Sequence, residues 1–137
     1  MRGKRGQIST EYLILTGFIV AFVIIILGAA IYYSSQIEDT IRTKQIEQFA
    51  NKVVGSAASV YYSGEPSKTT INAYLPKGVS QITILEREIV FNYTSVSGEN
   101  DVSYLSKVPI SGSITSSSGI KRIEIVAFSD GASITGN

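Results

Sequence analysis

From Tyr12 to Ile37 the chain carries no charged side chain. Within that stretch residues 12–33, Tyr-Leu-Ile-Leu-Thr-Gly-Phe-Ile-Val-Ala-Phe-Val-Ile-Ile-Ile-Leu-Gly-Ala-Ala-Ile-Tyr-Tyr, show no alternation of polar and apolar faces. A helix of this composition is apolar on every side and needs apolar surroundings all round. About 20 such residues cross the hydrocarbon core of a bilayer. Arg2, Lys4 and Arg5 precede the run, which predicts a cytoplasmic N-terminus. Tyr12 at one end and Tyr32 and Tyr33 at the other suit the two membrane interfaces. The whole chain has 137 residues, enough for one small domain and one long element.

Three fates of the run are open on these residues. It can be a secretory signal cut after Gly28-Ala29-Ala30, although it exceeds the roughly 7–15 apolar residues of such signals. It can be an uncut anchor. It can also be kept after a cut that removes only the basic residues before it. Gly6 would admit a protease close to the backbone, and the new Gln7 amine would be positive at neutral pH.

Composition narrows the chemistry. The chain has no cysteine, no histidine and no tryptophan. Disulfides and thiolate chemistry are absent, zinc and most transition-metal sites are close to excluded, and the commonest neutral-pH general base is missing. The expectation is a protein that is not an enzyme, with no cofactor and no metal. Net charge is +1 from 12 basic and 11 acidic residues, without the basic stripe of a nucleic-acid binder. Removing Arg2, Lys4 and Arg5 leaves nine basic residues against 11 acidic, so the remainder is mildly acidic.

No proline occurs before Pro66, and nothing forces a break in a helix over residues 7–62, about 80 Å at 1.5 Å per residue. After Tyr33 the pattern turns amphipathic, with Ile37, Ile41, Phe49, Val53, Ala57 and Val60 or Tyr61 on one face and Gln45 interrupting it. Glu38 and Asp39 stand four and three residues before Arg42, a favourable helix pairing. Ser63-Gly64-Glu65-Pro66 is the expected stop.

Residues 66–137 read as a β-rich head. Strands are expected over 69–75, 80–85, 88–93, 102–108, 110–114 and 120–128, with Glu86-Arg87 as a hairpin turn. Turns are expected at Ser97-Gly98-Glu99-Asn100 and at 116–119, and a short strand or tail from Ser129. The predicted fold class is α+β: a long apolar helix followed by a small antiparallel sheet or sandwich. A head of this size without disulfides is marginal alone, so it is expected to depend on the helical face over 41–61.

The segment Lys4-Arg5-Gly6-Gln7-Ile8-Ser9-Thr10-Glu11-Tyr12 resembles the leader junction of archaeal type IV pilins with class III signal peptides. The resemblance covers about the first quarter of the chain, the apolar run included. It implies a leader over residues 1–6, cut between Gly6 and Gln7 by a prepilin peptidase with Lys4 and Arg5 before the cut. It implies assembly by an ATPase and a membrane platform into a homopolymer. The helix residues Tyr12, Leu13, Phe18, Phe22, Leu27 and Tyr33 would then lie in the filament core. It also implies that Glu11, fifth residue of the mature chain, pairs with the Gln7 amine of a neighbouring subunit; the alternative is a helix-start carboxylate capped by Ser9 or Thr10. The expected location is an extracellular filament on the cell surface, with the precursor in the cytoplasmic membrane. Adhesion is the expected role. An archaellin-type motility filament and a single-pass anchored β-domain that binds a partner are the alternatives.

Asn92-Tyr93-Thr94 is an N-glycosylation sequon, expected to be modified in an extracellular head. Glu99, Asp101 and the Asn100 carbonyl supply calcium-type oxygens but lack the rest of a loop. Glu86 and Glu88 read as solvated surface.

Overall fold

The structure is a computed structural model that describes the backbone of residues 4–137 and the side chains from Ser9 onward. One helix, α1 (Lys4–Ser63), is followed by seven strands: β1 (Lys68–Leu75), β2 (Val79–Leu85), β3 (Glu88–Ser95), β4 (Gly98–Leu105), β5 (Ile110–Ile114), β6 (Gly119–Phe128) and β7 (Gly131–Gly136). The fold is α+β, a long N-terminal apolar helix and a small β head, as expected. The helix begins upstream of Gln7, so neither Ser9 nor Thr10 caps its start. It stops where the glycine and proline predict. Gly64 takes φ +79°, a conformation that costs glycine little, and donates its N–H to the Tyr61 carbonyl at 3.0 Å.

Two compact units divide the chain, one ending at Glu38 and one spanning Asp39–Asn137. The second therefore takes in the later part of α1 together with all seven strands. Its strands form two sheets, ordered β1-β6-β7-β5 and β2-β3-β4. Every pairing is antiparallel except β5 with β7, which run parallel. The sheets meet along β2 and β5, where Ile110 N–H donates to the Glu86 carbonyl at 2.8 Å. That seam leaves β1 and β4 as the two outer strands.

The alternating strands turn one face inward. Ile89 and Phe91 from β3, Ile123 and Ile125 from β6, and Ile134 from β7 are fully buried. The helix supplies Ile46, Phe49, Ala50, Val53, Ala57 and Val60 to the same core. Phe49 meets Phe91 edge to face at 5.9 Å, and Phe91 meets Tyr104 in the same way at 6.0 Å. Stacking in this geometry adds about 0.5–1.5 kcal/mol per pair beyond the area buried. The expected dependence of the head on this helical face thus has a direct basis in packing.

Four details differ from the sequence reading. Ile37 and Ile41 are more than half exposed, and the buried stripe runs instead through Ile46 and Ala50, so Gln45 interrupts nothing. The turn expected over Ser97–Asn100 is only Val96-Ser97, and β4 begins at Gly98 and ends at Leu105 rather than spanning 102–108. Gly98 makes this possible by adopting φ +119°, after which Asn100 pairs with Tyr93. After Ser129 the short-strand alternative holds as β7, but this strand pairs in parallel with β5 where an antiparallel sheet was expected. Its parallel neighbour β5 approaches so closely that a Cβ on Gly112 would lie 1.9 Å from the Ile134 carbonyl oxygen.

Candidate functional site

The side chains of residues 9–34 are all exposed in the single chain. The expected filament-core residues Tyr12, Leu13, Phe18, Phe22, Leu27 and Tyr33 are 57–73% exposed. α1 is long and apolar enough to cross a membrane, and none of its most apolar window is buried. Such a surface is costly in water at about 25 cal/mol per Å², and none of the described residues covers it. Thr16 and Ser35 donate their hydroxyls to the carbonyls of Tyr12 (2.8 Å) and Ile31 (3.3 Å) four residues back. This ties both hydroxyls to the backbone of the helix itself.

Glu11 is exposed at the edge of this run. Lys4, Arg5, Gly6 and Gln7 lie in the first turns of α1, and their side chains fall outside the described residues, as does the Gln7 half of the expected assembly pair. Residues 1–3 of the expected leader also fall outside.

In the head, Asn92 lies on the outward face of β3, exposed, with Thr94 two residues on along the same face. Gln81 and Asp101 flank it on the neighbouring strands. Glu99 and Asp101 share the outward face of β4. Among the described residues no group of three or more metal-ligating side chains comes together.

Three sets of contacts go beyond the sequence reading, the first of them building on the expected pairing of Asp39 with Arg42. Asp39 and Arg42 form an ion pair at 3.0 Å that also grips the β3–β4 turn. Arg42 Nη1 donates to the Thr94 carbonyl at 2.7 Å, and the Val96 N–H donates to Asp39 Oδ2 at 2.8 Å. Glu38, the other expected partner of Arg42, is not part of this clasp. Lys52 donates to the Asn72 carbonyl of β1 at 2.7 Å, putting an ammonium on an outer strand, a common way of blunting a sheet edge. Lys121, 5% exposed, points inward from β6 and donates to the hydroxyls of Thr115 and Ser117. A buried ammonium is costly without partners, and the serine-rich β5–β6 loop supplies them.

The helix also carries a surface pair, Lys44 with Glu47 at 2.8 Å. The hydrogen bond and charge of Glu47 raise the Lys44 pKa. Burial, and then the Glu47 charge, raise that of the Tyr104 phenol on β4. On the opposite flank of α1 a groove of about 380 Å³ runs between Gln45, Gln48 and Lys52 and the Asn72–Tyr74 segment, with Ile120 at its rim.

Comparison with known proteins gives no match: no family model, no curated protein and no solved structure is significantly similar to the chain. The class that can be stated is therefore structural, an α+β chain whose membrane-length apolar helix continues into a β head.

Proposed function

We propose that this chain is the structural subunit of an extracellular filament of the archaeal type IV pilus kind. The observation that carries the proposal is the apolar helix surface over residues 12–33, for which the described chain offers no cover. Lipid covers it before assembly. The separation of Tyr12 from Tyr32 and Tyr33, about 30 Å at 1.5 Å per residue, suits a bilayer core of about 30 Å. After assembly, the same segment of sister copies covers it. The leader junction around Gly6 and Gln7 supports this order of events. A cut there removes the basic residues that hold the N-terminus on the cytoplasmic side, yet keeps the helix. Glu11 then meets the Gln7 amine of a neighbour, which relieves the cost of a lone carboxylate among apolar side chains. The head displays the outer surface of the filament, with Asn92 available for glycosylation, and the filament serves attachment.

The test is the mass of the mature chain, followed by imaging. A chain beginning at Gln7 within filaments is expected. A mature chain beginning at Met1 indicates an anchored domain, and one beginning at Ile31 a secreted one. Gly6→Phe is expected to block the cut and abolish filaments; normal filaments from that variant would refute the leader reading.

A further inference from the structure

The head carries uncompensated charge of opposite sign along its two outer edges: Lys52 of α1 and Arg122 of β6 beside β1, and Glu99 and Asp101 on β4. On a helix of 3.6 residues per turn, Gln45, Gln48 and Lys52 fall on one flank of the buried stripe, and Lys44 and Glu47 on the other. The first flank borders β1, through the Lys52–Asn72 bond at 2.7 Å. The second borders β4, where Glu47 acts on Tyr104. The two outer strands therefore lie on opposite flanks of α1.

The β1 edge is basic. Lys52 lines the groove, and Arg122 stands opposite Asn72 on the outward face of the sheet. The other charges there cancel, since Lys68 and Glu124 pair at 2.7 Å. Tyr74 and Ile120 stand opposite each other at the groove rim, 49% and 76% exposed. The β4 edge is acidic. Glu99 and Asp101 project from its outward face, and neither forms an ion pair among the described residues, whereas Lys44 and Glu47 cancel. The adjoining turn carries Val96, 68% exposed and fixed in place by its N–H bond to Asp39.

We propose that neighbouring copies of this chain join head to head through these edges, the β4 edge of one seated on the β1 groove of the next. Glu99 and Asp101 face Lys52 and Arg122, and Val96 supplies an apolar contact to Tyr74 and Ile120. The inference rests on the filament reading and specifies its head interface. A twofold contact would set like charge against like at either edge. Opposite edges on opposite flanks favour a head-to-tail contact, the type that propagates into an open helix rather than closing as a dimer. Lys52 also blocks strand addition at β1, so the side chains, not a continuous sheet, define the joint.

Charge reversal in the full-length chain tests this, with filaments counted by electron microscopy in cells that make only the variant. Lys52→Glu with Arg122→Glu leaves both edges acidic, and Glu99→Lys with Asp101→Lys leaves both basic. Each double variant alone is expected to lower filament number at least about tenfold, since like charges brought together cost several kcal/mol. Making both variants in one cell, or combining all four substitutions in one chain, is expected to restore filaments. That rescue also shows that the substituted heads fold. If either double variant assembles like the wild type, or if neither combination restores filaments, the edge pairing is wrong while the filament reading stands. Absence of filaments from the wild type itself would remove both.

Discussion

The two ends of α1 obey the same helical geometry and meet opposite fates. Over residues 12–33 the helix is apolar all round, and its side chains are exposed among the described residues. Over residues 46–60 it is apolar along one stripe, and that stripe is the centre of the head core. Segregation of polar residues, more than hydrophobicity itself, decides which part a chain can bury alone. A one-sided stripe can be covered by two sheets; an all-round surface needs lipid or several other helices.

Matched phenylalanine truncations give the largest contrast. Phe49→Ala removes a ring that is 2% exposed and stacked on Phe91, and is expected to destabilise the head by about 3–5 kcal/mol. That is a large part of the roughly 5–15 kcal/mol typical of a domain. Phe22→Ala, by contrast, should leave the unfolding of the head unchanged. Denaturant titration of the full chain in detergent, followed by near-ultraviolet circular dichroism, reads both. A lowered midpoint for Phe22→Ala would break the distinction between the two ends.

A smaller effect is expected at the boundary. Asp39→Ala deletes the acceptor for the Val96 N–H and the partner of Arg42. The loss should be about 1 kcal/mol, because both side chains remain partly exposed to solvent. Faster amide exchange at Val96, with the core amides of Ile123 and Ile125 retaining their protection, would mark the change as local.

The smallest effect is in alkaline solution. The fold favours the protonated forms of Tyr104 and Lys44, whose pKa values it raises above 10.0 and 10.5. The unfolded chain therefore loses these protons first as pH rises. The stabilisation is whole below about pH 10 and declines above it. Glu47→Gln removes the chief cause at Lys44 and the second at Tyr104, so its midpoint should fall less steeply between pH 9.5 and pH 11 than that of the wild type.

Legibility in the sequence followed the range of the interactions. The apolar run, the helix stop at Gly64 and most strands depend on near neighbours and were readable. The buried helical stripe was only partly so: Phe49, Val53, Ala57 and Val60 were readable, but Ala50 is too small to mark a face, and Ile37 and Ile41 suggest a different one. The early start of β4 was hidden behind Gly98 and Asn100, residues that usually signal a turn. The parallel pairing of β5 with β7 depends on contacts across the whole head. Among the candidate functional residues, the expected cut site and Glu11 stood out as a local pattern. Lys52, Arg122, Glu99 and Asp101 acquire meaning only once the strands are ordered, because nothing in their spacing reveals which strands end up outermost.

The clasp between Asp39, Arg42 and the β3–β4 turn has a mechanical consequence. A pull on the head through the N-terminal side of α1 reaches this latch before it reaches the stripe from Ile46 to Val60. With the latch closed, the load runs parallel to the helix and is shared by all the rings and methyl groups along it, which must slide together. With the latch open, the first turns can lift away, and the same contacts yield one after another at lower tension.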